Sequence, residues 1–261
     1  MIFKLVSLVL FLIAGMASAD VTVPEVAPLR APGVLFTFDD THVNEWVEAM
    51  PLLEKYGASA TFFVTRFDQL SAEQLDGLRA LREKGHAIGC HGLRHIKAAE
   101  HTKVHGIEDY LAREITPALV AMEKAGFQPT SFAYPSSNND PVTDEALLKT
   151  FRHLRTGTGA REGQRYAQMD ILFTPLGELA SRGCLTGKGI DRIGYPGNED
   201  SLAQLLEAMD RAASRGEVLT LYAHNIAEAS KSHHIRPATL EKILAHAQKL
   251  GLHFYTFDDL P

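Results

Sequence analysis

Short apolar runs alternate with amphipathic segments of helix length along most of the chain, and this alternation limits the possible folds more than any other feature. From residue 34 onward, runs rich in β-branched and aromatic residues are followed by segments with apolar residues at helical spacing. Strands separated by helices run parallel and are joined by crossover connections, so the pattern predicts either a barrel or an open doubly wound sheet. With 261 residues, 45% of them hydrophobic, the chain can form one large α/β domain.

The pattern predicts seven strands and six helices. Residues 157–196 are rich in glycine and weakly periodic, and no element is assigned there. The predicted strands are residues 34–38, 59–65, 86–90, 130–134, 153–156, 218–223 and 253–257. The predicted helices are residues 44–55, 72–84, 107–125, 144–150, 201–214 and 237–250.

The first nineteen residues are typical of a secretory signal peptide. A short positive start at Lys4 precedes an apolar run, and Ala17-Ser18-Ala19 provides a cleavage site of small residues. An uncleaved anchor is the alternative, but the apolar run is shorter than the roughly 20 residues that span a bilayer. We therefore predict a signal peptide at 1–19 and a linker at 20–32, followed by one α/β domain at 33–261. The mature protein is expected to be secreted or periplasmic, with no membrane insertion.

The overall charge argues against one class of partner. The formal net charge is -6 and the sequence pI is about 6.0. Such a chain lacks the basic field that attracts nucleic acid or an anionic membrane. Two cysteines, Cys90 and Cys184, would suffice for one disulfide in an oxidising compartment, but their spacing does not show whether they meet.

Two neighbouring carboxylates, Asp39 and Asp40, follow the first predicted strand. Adjacent anions repel each other unless a cation lies between them. Since side chains alternate along a strand, one carboxylate can bind a metal while the other stays free as a base. The same Thr-Phe-Asp-Asp tetrapeptide recurs at 256–259, and Asp40 or Thr41 could instead cap the next helix. The tetrapeptide alone therefore leaves a purely structural role open.

A histidine pair, His91 and His95, follows the third predicted strand. Their spacing brings both imidazoles to one side of a helical turn. One carboxylate and two histidines, with positions left open, suit zinc or another divalent first-row ion. A solvated surface turn is the structural alternative. His101 and His105 repeat the spacing but lie away from any predicted strand end, in what is expected to be a loop.

A further histidine, His224, follows the apolar strand at 218–223. It could be a general acid or a buried polar residue with satisfied hydrogen bonds. Parallel strands place functional residues at their carboxyl ends. Asp39 and Asp40, the histidine pair and His224 follow predicted strands, and Tyr134 ends one, so we expect them at one end of the sheet.

These residues together resemble the polysaccharide deacetylase family, the NodB-homology group of carbohydrate esterase family 4. Residues 37–40 match the family's Thr-Phe-Asp-Asp motif, residues 91–95 its His-x-x-x-His motif, and residues 221–224 its Leu-x-x-His motif. The resemblance covers about residues 34–260. It implies a distorted, incomplete (β/α) barrel, a glycan substrate, and a divalent metal ion, most often zinc.

The resemblance also implies a role for each matched residue. Asp39 would be the catalytic base and His224 the general acid. Asp40, His91 and His95 would be the metal ligands. The backbone N–H of Ser136 would stabilise an oxyanion, and Tyr134 and Leu221 would contact the substrate.

The third and fourth motifs of the family are altered. The third is typically Arg-x-Pro-Tyr or Phe-Ala-Tyr-Pro-Tyr-Gly, whereas residues 132–137 read Phe-Ala-Tyr-Pro-Ser-Ser, with Ala133 at the arginine position. Arg66, Arg155 or Arg161 could supply the missing charge, and the sequence does not choose among them. The fourth motif, Asp-x-x-Asp-Trp, is not found; the only tryptophan is Trp46.

The expected activity is metal-dependent hydrolysis of N-acetyl groups on an extracytoplasmic polysaccharide. Two alternatives stay open. The same machinery could hydrolyse another C–N bond or an O-acetyl group. A protein that had lost turnover could instead bind glycans, although such a binder would have no need of both Asp39 and His224.

Overall fold

The computed structural model describes residue 29 and residues 31–159 and 163–261. The predicted signal peptide, most of the predicted linker, and Arg161 lie outside this part of the chain. Among the described residues, no helix combines the length and apolar character needed to cross a membrane. The strands are β1 Gly33–Asp40, β2 Thr61–Val64, β3 Ala87–Cys90, β4 Ser131–Ala133, β5 His153–Thr158, β6 Phe173–Pro175, β7 Cys184–Gly189, β8 Glu217–Ala223, β9 Asn225–Ile226, β10 His234–Ile235 and β11 His253–Tyr255.

Seven parallel strands form a closed barrel, in the order β1-β2-β3-β4-β5-β7-β8. The ring closes because β8 pairs with β1 along six register positions, from Gly33 opposite Val218 to Phe38 opposite Ala223. The predicted barrel of the NodB-homology type is therefore confirmed. Outside the ring, β11 extends β1 in parallel and β6 pairs antiparallel with the start of β8. The short strands β9 and β10 form a separate pair after β8.

Helices cover the outside of the barrel. They are α1 Val43–Lys55, α2 Ala72–Glu83, α3 Ala98–His105, α4 Ile107–Tyr110, α5 Thr116–Lys124, α6 Pro141–Leu147, α7 Asp200–Arg215 and α8 Pro237–Lys249. Local sequence accounts for several ends: Ser71 and Gln74 form a capping box at α2, and Gly216 ends α7 at φ 68°. The large core lies between helices and barrel and includes Trp46 and Phe62.

The structure differs from two sequence predictions in this layer. Residues 98–105, expected to be a loop, form α3. The long helix predicted at 107–125 is present at 107–124, but a π-helical turn at Leu111–Ile115 interrupts its regular α-helical bonding between α4 and α5. Both cysteines, Cys90 and Cys184, are free thiols.

The barrel interior has its own apolar cluster, to which the second Thr-Phe-Asp-Asp copy contributes. Phe257 is fully buried there, with its ring centroid 5.3 Å from that of Phe63. The Phe257 N–H donates to Thr61 at the start of β2, and Asp259 accepts hydrogen bonds from Thr256. This second copy thus has a structural role, whereas the first copy ends β1 at the opposite, carboxyl end.

Candidate active site

A cavity of about 410 Å³ opens at the carboxyl ends of the barrel strands. It brings together the side chains predicted from four strand ends and adds several that the sequence did not indicate. Its lining residues are Asp39, Asp40, His91, His95, Tyr134, Ser136, Ser137, Arg155, Asp191, Tyr222, His224 and His233.

Asp40, His91 and His95 form one group that could hold a metal ion, because their ligand atoms all lie within 4.8 Å of one another. Asp40 Oδ1 is 3.7 Å from His91 Nε2 and 3.5 Å from His95 Nε2. These separations are too long for hydrogen bonds. Two ligands about 2.1 Å from one tetrahedral ion would lie roughly 3.4 Å apart, so the spacing suits a shared ion.

Hydrogen bonding fixes which nitrogen of His91 faces this group. His91 Nδ1 lies 2.8 Å from the carbonyl oxygen of Ala133. Since a carbonyl only accepts, Nδ1 carries the proton and Nε2 presents its lone pair towards Asp40. Burial lowers the pKa of His91 to about 4, against the opposing charges of Asp39 and Asp40. The neutral imidazole is the form that binds a metal.

Asp39 lies beside this group, held by a buried ion pair with Arg155. The two side chains belong to residues only 2% and 1% exposed. Burial by itself would raise the pKa of Asp39, but the positive charge of Arg155, assisted by His91 and His224, holds that pKa below its ordinary value. Asp39 Oδ2 is the atom paired with Arg155, while Oδ1 is buried without a hydrogen bond among the described residues.

Arg155 supplies the positive charge that the third motif lacks. It lies on β5 as the register partner of Ala133 on β4, so the two positions are neighbours on adjacent strands. Of the other two candidates, Arg66 is exposed before α2, and Arg161 lies outside the described residues. The guanidinium also lies over the ring of Tyr222, 4.7 Å from its centroid.

His224 faces Asp39 and Asp40 from the end of β8 and is oriented by Asp191. His224 Nδ1 donates to Asp191 Oδ2 at 2.6 Å, and the His224 backbone N–H donates to Asp191 Oδ1 at 3.1 Å. Burial by itself would lower the pKa of His224. The hydrogen bond to Asp191 and the charges of Asp39, Asp191 and Asp40 outweigh burial and raise the pKa to about 9. The imidazole is therefore protonated at neutral pH.

The remaining predicted residues differ in how they are placed. Ser136 lines the cavity with its backbone at φ 55°. Tyr134 lines it too, while its hydroxyl donates to Asp144 at 2.7 Å. Leu221 is fully buried in the core outside the barrel and does not line the cavity. Its neighbour Tyr222, whose side chain points to the opposite face of β8, lies in the cavity instead.

The second histidine pair is separate from the site. His101 and His105 lie on α3, and His101 Nε2 contacts Asp109 Oδ2 at 2.7 Å. Among the residues that the structure describes, they are not part of any metal-ligating group.

The closed parallel barrel groups carboxylates and histidines at the carboxyl ends of its strands, where α/β-barrel enzymes have their active sites. The polysaccharide deacetylase family model matches residues 27–152. A search of curated proteins found no match. Over residues 27–152 the chain is similar to the polysaccharide deacetylase family, and the solved structures that follow share its fold.

Several solved structures share the fold. A Streptococcus mutans family 4 esterase is 16% identical, with a TM-score of 0.55 and coverage of 86% of this chain and 85% of that one. The Xyl-CE4 domain of a xylanase from the hindgut metagenome of Trinervitermes trinervoides is 15% identical, with a TM-score of 0.54 and coverage of 88% and 89%. The peptidoglycan deacetylase PdaC of Bacillus subtilis is 16% identical, with a TM-score of 0.51 and coverage of 87% and 89%.

Proposed function

We propose that this protein is a metal-dependent hydrolase that removes N-acetyl groups from an extracytoplasmic N-acetylated polysaccharide. The observation that carries the proposal is the opposite protonation of two groups in one cavity. Asp39 is held as a carboxylate by Arg155, and His224 is held as an imidazolium by Asp191. Environments that drive two pKa values apart assign one group as base and the other as acid.

The donor set suits a divalent ion, and its chemistry favours zinc. One carboxylate and two imidazoles are borderline ligands of the kind that zinc prefers, and three protein ligands leave a position for water, as in catalytic sites. Asp40, His91 and His95 would hold the ion. When bound, it would polarise the acyl carbonyl and lower the pKa of a water molecule.

Asp39 has the position and charge of a general base. Its Oδ1, which has no hydrogen bond among the described residues, is available to accept a proton from an attacking water. Because Arg155 holds Oδ2, only one oxygen is free and its direction is fixed. Arg155 thus orients the carboxylate from β5.

His224 would protonate the leaving amine. An amide nitrogen is a poor leaving group unless it receives a proton as the C–N bond breaks, so the reaction needs an acid that is still protonated at neutral pH. The backbone N–H of Ser136, at the cavity wall, would donate to the developing oxyanion. Acetate and a free amino sugar would be the products.

The substrate and its location are supported by three further observations. The signal-like residues 1–19 favour export, and an exported enzyme meets polymeric glycans. The related B. subtilis protein is a peptidoglycan deacetylase. Tyr222, which is half-buried in the cavity wall, provides aromatic surface against which a sugar ring could pack, whereas Tyr134 lines the cavity but is only 1% exposed.

The test is acetate release from N-acetylglucosamine oligomers by protein lacking residues 1–19, with added zinc and with chelator. Release should depend on the metal and should disappear in Asp39→Asn and His95→Gln. The matched control is His101→Gln, which removes a histidine at the same spacing outside the cavity and should retain full activity. Zinc binding without acetate release from these oligomers or from O-acetylated glycans would overturn the hydrolase in favour of a glycan-binding protein.

Release of acetate only from O-acetylated glycans would overturn the N-acetyl assignment. His224→Gln separates the two reactions further. Because an amine needs protonation more than a stabilised alkoxide or phenoxide does, this variant should lose far more activity on an amide than on an activated aryl acetate.

A further inference from the structure

A buried carboxylate outside the cavity, Glu114, holds the loop that carries the second histidine. Glu114 is 0% exposed. Its Oε2 accepts the backbone N–H of Arg94 at 2.8 Å, and its Oε1 accepts the backbone N–H of Ile96, also at 2.8 Å. Its main-chain carbonyl accepts the N–H of Leu93 at 3.1 Å. One residue therefore makes three hydrogen bonds to the backbone on both sides of His95.

That loop contains two left-handed backbone conformations. Gly92 has φ 75°, and His95 has φ 61°. For a residue such as His95, which has a Cβ, this conformation costs of order 1–3 kcal/mol and persists only where surrounding contacts enforce it. The bonds from Glu114 to residues 94 and 96 flank His95 and provide such contacts.

Gly92 makes room for the Glu114 side chain. A Cβ atom on residue 92 would collide with Glu114 Oε1 and crowd its Cδ and Cγ atoms. The carboxylate thus lies directly against the backbone of residue 92, within the segment that joins His91 to His95. Glycine is required here both by its conformation and by this close approach.

The element that supplies Glu114 is the π-helical turn at Leu111–Ile115. Such turns insert one residue into a helix and often occur at functional sites. Among the described residues Glu114 forms no salt bridge. A buried carboxylate without a cation is costly, so its stability contribution alone does not account for this arrangement.

We propose that Glu114 is a positioning residue for metal binding: by fixing the backbone of residues 92–96, it directs His95 Nε2 towards Asp40 and so sets the affinity of the site for a divalent ion. This inference rests on the proposed metal site of Asp40, His91 and His95. Residues that orient metal ligands in this way typically change metal affinity about 10–100-fold when replaced.

The test is zinc affinity, measured by competition with a chromophoric chelator, for wild type and Glu114→Gln. The amide keeps the size of the side chain but opposes one backbone N–H with an NH₂ group, so we expect zinc affinity to fall about 10–100-fold. The matched control is Glu217→Gln. Glu217 is also buried, at 8% exposed, and accepts two 2.9 Å hydrogen bonds from Arg211 at the other end of β8. It should lower stability in urea while leaving zinc affinity unchanged.

A second variant disturbs the contact between residue 92 and the Glu114 carboxylate without removing a charge. Gly92→Ala should displace Glu114 and weaken zinc binding by a similar factor. Gly57→Ala is its control, since Gly57 has φ 61° and open space around it, so it introduces the backbone strain without the collision. Wild-type zinc affinity in either Glu114→Gln or Gly92→Ala would overturn the inference. Wild-type protein that binds no zinc would instead overturn the proposed metal site, so the two failures are distinguishable.

Discussion

Replacing Arg155 with methionine should strongly destabilise the barrel, because it leaves the Asp39 carboxylate buried without its partner. The guanidinium and carboxylate belong to residues 1% and 2% exposed, so bulk water would replace only a small part of the lost interaction. Removing one member of a buried ion pair typically costs about 3–5 kcal/mol. Methionine retains much of the apolar stem, so most of this loss comes from the charge and its hydrogen bond rather than from a cavity.

The assay is urea unfolding of the metal-free protein in a double-mutant cycle. Arg155→Met and Asp39→Asn should each lower the free energy of unfolding, but the double variant should lose less than the sum, with a coupling of about 2–3 kcal/mol. The reason is that the double variant contains no unpaired buried charge. Additive effects would refute the claim that these two residues stabilise each other.

A relocation variant tests the geometric part of the argument. Ala133 and Arg155 are register partners on neighbouring strands, about 4.8 Å apart across the sheet. An arginine at 133 should therefore reach Asp39 once position 155 is vacant. Ala133→Arg combined with Arg155→Ala should recover part of the stability and activity that Arg155→Ala loses. If the double variant is no better than Arg155→Ala, the two strands do not present equivalent positions to Asp39.

Three further predictions concern protons and metal. Asp191→Asn should lower the pKa of His224 from about 9 towards its ordinary value. The alkaline limb of the pH profile of kcat/KM should therefore move to lower pH. If this limb does not move, His224 is not the general acid. His86 has a pKa lowered to about 4 by burial. The unfolded chain therefore binds the proton first as pH falls below about 6.5, and stability should decline between there and pH 4, by up to about 3 kcal/mol in total. His86→Asn, whose amide oxygen can still accept the Ala60 N–H, should show a flatter decline in urea unfolding at pH 6 and 4.5; equal slopes would contradict the assignment. Zinc at about 100 times its Kd should stabilise the wild type by about 2.7 kcal/mol, and chelator should reverse the rise in Tm; a Tm unaffected by either would count against a metal site.

The sequence predicted the parts of the site that follow recognisable strands. Asp40, His91 and His95 were placed together because β1 and β3 have clear apolar runs and parallel strands align their carboxyl ends. His224 followed from β8 in the same way. The position of these residues next to one another thus depends on the alignment of the strands, which hydrophobic periodicity predicts well.

The partners that tune these residues were harder to find, for identifiable physical reasons. Asp191 follows β7, which has little periodicity because Gly187 and Gly189 occupy inward positions against the ring of Tyr222; a Cβ at these glycines would lie 3.2 and 3.0 Å from it. Arg155 was one of three candidates, since sequence spacing does not show which side chain crosses to a neighbouring strand. Glu114 gave no signal, because a π-helical turn changes the helical register locally.

The pairing of β1 with β8 has a consequence for the order in which the site can assemble during folding. Thr37 bonds to Leu221 across a sequence separation of 184 residues, so barrel closure needs almost the entire chain. Asp40, His91 and His95 all lie in the first half of the chain. They stand at the ends of β1 and β3, which both pair with β2, so bringing them together closes only short loops. Arg155, Asp191 and His224 arrive later along the chain. The proposed metal ligands can therefore come together before the residues that set the protonation states of Asp39 and His224, and turnover should appear only when the last strand of the ring is in place.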